Sequence, residues 1–368
     1  MVLPIFLIII SFITIMLSAT PFLLKPSVVF GVTVPESFTD DSTIISYKKI
    51  YAVSIFITGF ISFFIYYYWV SNSNLSEETI VLTGLVVQFG LLFLSMVLYF
   101  YYHAQTTQLK QKNQWGADLK QVRIAELAIR TKDEMLPSYV YAVPMLITVG
   151  LIAYTATQYN NMPDLIPTHW GANGQADTFS EKTPFSVIAL LIILLIIQVM
   201  MAGINTFTKQ SGIRLSAVKR IKSKVQQLLF RKYSSWFLYM MTILMTILFG
   251  FIQLATIHDG LGVAALMLAL PLGFLLITLL ATAIYAFKVG QSGSRIEVEV
   301  EDETITGITD LDDDEHWKYG IFYVNRNDPS VFVEKRFGIG WAINFGNPIG
   351  YVIIFVPLLL ILAISFLL

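Results

Sequence analysis

Eight long apolar runs alternate with polar stretches along the chain. Each run has about 20 residues, the length that a helix needs to cross the hydrocarbon core of a bilayer. None contains Asp, Glu, Lys or Arg away from its ends. Because a segment in lipid must satisfy its own backbone hydrogen bonds, the pattern predicts an all-α polytopic membrane protein with about eight transmembrane helices. The runs are 2–24, 50–70, 79–102, 138–158, 184–206, 235–257, 261–288 and 349–368.

The basic residues in the connecting loops predict the orientation. Loop 207–233 carries eight Lys and Arg residues and no acid, and loop 103–137 carries six. Positively charged loops stay on the cytoplasmic side, so we expect both of these loops inside. Alternation then predicts that 25–49 and 289–348 also lie inside and that both termini lie outside. The loops expected outside are 71–78, 159–183 and 258–260.

Two of the inner loops have the apolar spacing of amphipathic helices. In loop 103–137 this spacing runs from Leu119 to Ile129, and in loop 207–233 from Ile213 to Leu228. The second helix would lie on an anionic inner leaflet, or would dock a regulatory partner. We do not expect direct nucleic-acid binding, because the positive-inside rule already accounts for the charge. The basic segment assigned to the inner leaflet consists of Lys209, Arg214, Lys219, Arg220, Lys222 and Lys224.

The stretch before the last apolar run predicts a small β-rich insertion. Residues 296–301 alternate Ile or Val with Glu, which is the pattern of a strand. The acidic run TDLDDDEHW fails the calcium-loop pattern, because Glu315 stands where Gly is required, and it predicts a solvated linker. A β-hairpin is expected next, pairing 319–324 with 331–336. In loop 25–49, alternating apolar residues over 28–34 predict a short strand or an extended interfacial segment.

The loop expected outside between the fourth and fifth runs contains PTHWGANGQADTFSEK. His169 has carboxylates close by in sequence, and an imidazole beside carboxylates suggests a ligand or metal site. The alternative is a folded loop in which His169 and Asp177 bond to backbone and the glycines adopt positive φ. One histidine with scattered carboxylates is a weak metal signal, so no metal is predicted. The candidate outer site comprises Pro167, His169, Trp170, Gly174, Asp177, Lys182 and, from a turn on the same face, His258 and Asp259.

Composition narrows the function classes. The chain is 55% hydrophobic and 13% charged, has a net charge of −1 and contains no cysteine. That excludes thiolate catalysis, disulfides and cysteine-ligated metals. We find no phosphate-binding, metalloprotease or serine-hydrolase motif, so neither an enzyme nor a cofactor is predicted. The apolar runs contain Gln88, Gln198, Asn205 and Gln253 but no acid or base, which argues against a proton-driven pump and leaves other transporters open.

Two stretches resemble known families. PTHWGANGQADTFSEK resembles the signature of domain of unknown function 1648, found in SdpI-like bacterial membrane proteins, with Pro167, His169, Gly174, Asp177 and Lys182 on the pattern. The segment from Trp317 to Asn344 resembles domain of unknown function 5808, found at the C-terminus of some relatives. The resemblance implies a multi-pass protein of the bacterial cytoplasmic membrane. Relatives are expected to protect the cell from a secreted toxin peptide and to sequester a small repressor inside.

These patterns lead to one functional expectation. We expect a non-catalytic membrane protein that binds a ligand or peptide at its outer face, in an immunity or signalling role, with a toxin peptide outside and a regulatory protein inside. The alternatives are a transporter or lipid-handling protein, and an accessory subunit of a membrane complex. The expected division is a three-helix region with an amphipathic segment, a four-helix core, a β-hairpin module and a last helix, at 1–137, 138–288, 289–348 and 349–368.

Overall fold

The computed structural model describes residues 2–122, 133–171, 173–299 and 307–367. Within these residues, eight helices are long and apolar enough to cross a membrane. The predicted polytopic membrane protein with about eight helices is therefore confirmed. The helices are α1 Val2–Leu23, α2 Ser42–Asn72, α3 Glu77–Lys112, α4 Ala142–Gln158, α5 Ala189–Gln210, α6 Arg220–Ile257, α7 Ala264–Lys288 and α8 Pro348–Leu367.

Several helices extend beyond the apolar runs that predicted them, and their ends explain why. Asp41 caps the start of α2 by accepting hydrogen bonds from the backbone N–H groups of Thr43 and Ile44, at 2.8 and 3.3 Å. Helix α3 has two Glu residues in its first turn and two Lys residues in its last. Both charge placements are favourable next to the helix dipole, so α3 continues in polar sequence.

The chain divides into two compact units, which we describe separately. Helices α6 and α7 supply residues to both units. Unit 1 consists of Met1–Asp133, Ser211–Phe230 and Ala283–Gly346, and unit 2 consists of Glu134–Gln210, Arg231–Thr282 and Asn347–Leu368. All four segments that the charge pattern places inside contribute to unit 1.

Short strands connect the helices. Among the described residues they form five two-stranded sheets. Four belong to unit 1: β1 Val28–Val29 with β2 Val32–Thr33, β3 Lys120–Val122 with β6 Ile308–Asp310, β7 Trp317–Lys318 with β8 Phe322–Tyr323, and β9 Phe332–Glu334 with β10 Trp341–Ile343. The fifth belongs to unit 2 and joins β4 Leu165–Trp170 to β5 Ala176–Glu181. Hence β-hairpins do precede the last helix, as predicted.

The predicted strand pairing in that module was wrong. Residues 319–324 do not pair with 331–336; β7 pairs with β8, and β9 pairs with β10. Tyr319 and Gly320 adopt φ of 54° and 69°, which places a tight turn inside the first expected strand. Positive φ at both central residues is the geometry of the tightest hairpin turns. Two short hairpins thus replace one longer one.

Three further local predictions were wrong where the structure describes them. Of the helix predicted over 213–228, residues 220–228 are helical as the start of α6, but 211–219 are not. There the backbone N–H groups of Ser216 and Ala217 donate to Oγ of Ser223 and Oδ1 of Asp310, at 3.0 and 2.6 Å. Residues 120–122 form strand β3 instead of starting a helix, and 123–132, the rest of that predicted helix, lie outside the described residues. Residues 296–299 form no strand, and the remainder of that prediction also lies outside the described part.

Candidate functional site

The outer motif forms the β4–β5 hairpin of unit 2. Pro167 lies opposite Phe179, His169 lies opposite Thr178, and the register shifts on both sides of His169. Such irregularities twist a strand and redirect its side chains. The motif is thus a hairpin with its histidine between two register shifts.

His169 and Asp177 form the polar pair of this hairpin. Nδ1 of His169 lies 2.5 Å from Oδ1 of Asp177, and the two side chains are 66% and 51% exposed. The hydrogen bond from His169 holds the pKa of the Asp177 carboxyl below its ordinary value. Because Nδ1 is engaged by the carboxylate, Nε2 is the ring atom left for a ligand.

Gly174 fixes the hairpin turn. Its φ is +75°, and a Cβ atom there would lie 2.5 Å from the carbonyl oxygen of Ala264 in α7. The turn is closed by a 2.9 Å hydrogen bond from Gly171 N–H to the carbonyl of Gln175. Only glycine fits this conformation and this close approach, so Gly174 has a structural role.

Lys182 holds the base of the hairpin. Its Nζ donates to the carbonyl of Met162 at 2.8 Å and lies 3.3 Å from Oδ1 of Asp164. Beneath it, Met162 packs with Ile166 and Val187 in a small buried cluster. Of the other predicted site residues, Pro167 and Trp170 are half-buried in β4. The motif therefore divides into residues that build the hairpin and an exposed His–Asp pair.

His258 has a different partner. Its Nε2 lies 2.8 Å from the hydroxyl of Tyr154. Asp259 begins a short turn, and its side chain lies outside what the structure describes. Among the described residues, His, Asp and Glu side chains form no group of three or more that could hold a metal ion. A composite outer site joining His169 to His258 stays a prediction.

The buried amides of unit 2 bond to the protein itself. Gln198 donates to the carbonyl of Pro144 and to hydroxyls of Thr148 and Thr246, at 3.2, 2.8 and 2.9 Å. Gln253 donates to Thr155 and to the carbonyl of Val187, and Asn205 bonds to Ser235 and Leu136. Hydrogen bonds of this kind link helices within a membrane.

Unit 1 contains a cluster of ion pairs that the sequence analysis missed. The buried Arg336 forms ion pairs with Asp313 and Asp314. It also donates to the carbonyl of Gly31 at 2.7 Å and to the hydroxyl of Thr33 at 3.0 Å. One guanidinium therefore joins the acidic run to the β1–β2 hairpin. We call the ion-paired residues Arg336, Asp313, Asp314, Arg214 and Lys110 the acidic hub.

The other members of the hub surround the same carboxylates. Arg214 forms an ion pair with Asp313 and donates to the hydroxyl of Tyr323 at 3.0 Å. Nζ of Lys110, in the last turn of α3, lies 2.7 Å from Oδ2 of Asp314. The prediction of a solvated acidic linker was wrong, because basic residues distant in sequence neutralise this run.

Burial and ion pairing oppose each other at these carboxylates. Burial acts to raise the pKa of Asp314, but Arg336 and Lys110 outweigh it and lower the pKa to about 2. Burial likewise opposes the ionised form of Asp313, and Arg336 with Arg214 holds its pKa below the ordinary value. Both carboxylates therefore stay ionised in the folded protein well below neutral pH.

Acid should remove the contribution that the ionised carboxylates of the acidic hub make to stability. A carboxyl whose pKa is depressed by folding stabilises the protein above its unfolded pKa, and loses that effect as pH falls towards its folded pKa. For Asp314 the effect should fade between about pH 4 and about pH 2, and should amount to on the order of 2 kcal/mol. Chemical unfolding of Asp314→Asn and the parent from pH 6 to pH 2 tests this. A stability difference that does not shrink with acid would contradict it.

A cavity of about 410 Å³ borders the hub. Its lining combines residues from all four segments that the charge pattern predicts to lie inside, among them Lys25, Val122, Gly212 and Ser292. The volume is within the range of small-ligand pockets. Its two arginines already bind carboxylates of the protein, so the lining is largely charge-compensated.

The basic segment assigned to the inner leaflet is partly used within the protein. Arg214 belongs to the hub, Nζ of Lys219 lies 3.0 Å from Oε2 of Glu36, and Nζ of Lys209 donates to the carbonyl of Met135 at 3.4 Å. Arg220, Lys222 and Lys224 lie in the first turns of α6. Contact between this segment and lipid stays a prediction.

The comparisons with known proteins agree with the two motifs. Residues 146–195 match the family model described as Domain of unknown function (DUF1648), and residues 326–351 match the one described as Family of unknown function (DUF5808). The first match contains the β4–β5 hairpin, and the second contains Arg336. No curated protein and no solved structure matches the chain. The chain thus has the helices of a multi-pass membrane protein and carries one stretch that matches the DUF1648 domain and a second that matches DUF5808.

Proposed function

We propose that this protein is a non-catalytic membrane protein that binds a ligand or peptide at its outer face through the β4–β5 hairpin. The immunity or signalling role follows the resemblance to SdpI-like proteins. The observation that carries the proposal is the exposed His169–Asp177 pair, displayed on a hairpin that Gly174 and Lys182 hold in place.

The stability of the fold does not explain why His169 and Asp177 are paired on the surface of the hairpin. A hydrogen-bonded pair of polar side chains that are both exposed contributes little to stability, because water competes with it and screens it. Gly174 and Lys182 have structural roles, whereas His169 and Asp177 remain accessible to solvent. A neutral imidazole that donates Nδ1–H to a carboxylate presents Nε2 as a hydrogen-bond acceptor. The hairpin is thus suited to a ligand that offers a donor such as an amide or an ammonium group.

Transport is the less favoured alternative. A polar pathway for a substrate needs side chains that can exchange partners with water or the substrate. Gln198 and Asn205 are instead buried and bonded to neighbouring helices within unit 2. This arrangement supports a sealed set of helices beneath an outer binding element. An accessory role in a larger membrane complex would use the same outer face.

The membrane and orientation belong to the same proposal. The protein lies in a bacterial cytoplasmic membrane with both termini outside, which places the β4–β5 hairpin outside and the acidic hub inside. The charge pattern supports this orientation, since the eight basic residues of 207–233 would remain inside. A regulatory protein would then meet the inner parts of unit 1.

The test separates binding from folding at the outer hairpin. We expect His169→Ala and Asp177→Ala to abolish protection of a sensitive host against peptides concentrated from the spent medium of the source bacterium. Membrane abundance should be unchanged, because exposed substitutions usually alter stability by no more than about 0.5 kcal/mol.

Thr168→Ala, at an exposed neighbouring position in β4, is the matched control and should keep full protection. Lys182→Met should reduce abundance, since it removes the bond to Met162. If His169→Ala and Asp177→Ala also reduce abundance, the pair is structural and the binding proposal is wrong.

A further inference from the structure

Two hairpin turns in unit 1 share an unusual backbone. In β1–β2 the turn is Phe30–Gly31, with φ of 43° and 79°, and in β7–β8 it is Tyr319–Gly320, with φ of 54° and 69°. Aromatic side chains are rare at positive φ, where Gly, Asn and Asp are usual. A residue with a Cβ atom is destabilised in this conformation, because the Cβ atom comes too close to the following carbonyl oxygen. Each aromatic residue therefore needs a compensating interaction.

Phe30 has that compensation inside the protein. Its side chain is only 2% exposed, and its ring centroid lies 5.5 Å from that of Tyr51 and 5.3 Å from that of Tyr102. Aromatic pairs at these distances add to the free energy gained by burial. The strained conformation of Phe30 is thus explained by packing.

Tyr319 lacks comparable packing in the described part of the chain. It is 68% exposed, and its ring meets one aromatic neighbour, Phe100, at 6.1 Å and nearly at right angles. The bond from the Tyr99 hydroxyl goes to the backbone carbonyl of Tyr319, which any residue would provide. The described residues therefore leave most of the Tyr319 side chain exposed, available to an occupant that they do not supply.

The position of Phe100 indicates what surrounds Tyr319. Phe100 continues an exposed apolar stripe of α3 that includes Phe89, Phe93 and Val97. After the aromatic run 99–102, the helix becomes polar. Aromatic residues concentrate at the level where a spanning helix leaves the hydrocarbon core. Tyr319 contacts Phe100 at this level of α3, where a headgroup layer is expected.

One face of the β7–β8 hairpin is buried in the protein and the other is exposed. Trp317 pairs with Tyr323, and both are buried. Lys318 pairs with Phe322, and both are exposed. An exposed aromatic ring beside a lysine suits a membrane interface, because lysine can keep its ammonium group at the lipid phosphates.

We propose that the β7–β8 hairpin is a lipid-contacting element, in which Tyr319 and Phe322 enter the headgroup layer at the polar end of α3 and Lys318 meets lipid phosphate. The occupant is the bilayer in which the protein is embedded. The contact would attach the module between α7 and α8 to the membrane surface independently of its ion pairs.

The absence of cysteine makes a direct test available. A single Phe322→Cys variant, which retains Tyr319, is labelled with an environment-sensitive fluorophore in nanodiscs of phosphatidylcholine and phosphatidylglycerol. We expect blue-shifted emission, strong quenching by lipids with a nitroxide near the headgroup, and protection from aqueous iodide. The matched control, Asn327→Cys in an exposed turn of the same module, should be quenched by iodide and not by the lipids.

Two further variants separate the contribution of the Tyr319 ring from that of the Lys318 charge. In the labelled Phe322→Cys protein, Tyr319→Gly should weaken lipid quenching without lowering the melting temperature in detergent, because glycine relieves the backbone strain. Lys318→Gln should weaken quenching in anionic nanodiscs and leave it unchanged in phosphatidylcholine alone. Full quenching of position 322 by iodide would overturn the proposal. Protection from both quenchers would also overturn it, since protein and not lipid would then cover the hairpin.

Discussion

Replacing Arg336 with glutamine should lower the free energy of unfolding by about 3–5 kcal/mol, the usual cost of removing one partner of a buried ion pair. Arg336 is buried and contacts Asp313 and Asp314. Without it, each carboxylate loses an ion-pair partner, although Arg214 and Lys110 remain. Its bonds to the carbonyl of Gly31 and the hydroxyl of Thr33 disappear as well.

The measurement is chemical or thermal unfolding of the purified protein in nanodiscs, combined with hydrogen exchange. Exchange should rise in 28–34 and 311–318, the two segments that Arg336 joins. Arg336→Lys should also lower the free energy of unfolding, but by less than Arg336→Gln does, because one ammonium group cannot replace the planar guanidinium that bonds both carboxylates. Arg326→Gln, at an exposed site of the same module, is the control. Equal stability of the Arg326 and Arg336 variants would refute a central role for the hub.

The helices could be predicted from the sequence because their signal is local. An apolar run of sufficient length forms a spanning helix whatever the rest of the chain does, since lipid leaves its backbone no other partner. The ends were harder to place, because capping by Asp41 and the charges of α3 extend helices into polar sequence. The four segments that the charge pattern predicts to lie inside all contribute to unit 1, and their side of the membrane stays a prediction.

The acidic hub could not be found in this way. Asp313 and Asp314 are adjacent in a run of acids, which taken alone indicates solvation. Their partners include Arg214 and Lys110, 99 and 204 residues away along the chain. Local charge density carries no information about such partners. A weak signal existed, because the basic residues of the three other segments predicted to lie inside had no acidic partner assigned to them.

The outer motif shows a similar limit. The sequence identified the residues, but it could not separate their roles. Gly174 is required because of Ala264 in α7, some ninety positions further on, and Lys182 is required because of Met162. Only the structure shows that His169 and Asp177 are left exposed once these contacts are made. The exposed pair is therefore the better target for functional variants.

The second large effect is expected where the turns of the β1–β2 and β7–β8 hairpins meet. Gly31 and Gly320 approach so closely that a Cβ atom on Gly31 would lie 2.8 Å from the Cα of Gly320. Conversely, a Cβ atom on Gly320 would lie 2.9 Å from the Cα of Gly31. Both of these neighbours are backbone atoms, which cannot rotate away as a side chain could. The contact brings the segment after α1 against the module that precedes α8.

Gly31→Ala should therefore destabilise unit 1 by about 2–5 kcal/mol, the sum of positive-φ strain and overpacking. Gly307→Ala separates these two causes, because Gly307 has the same φ of +79° but a Cβ atom added there would meet no atom of the described residues within 4 Å. It should show the strain alone, about 1–2 kcal/mol. Unfolding in nanodiscs gives both values. If the two variants lose the same stability, the turns do not press on each other, and strain accounts for the whole effect.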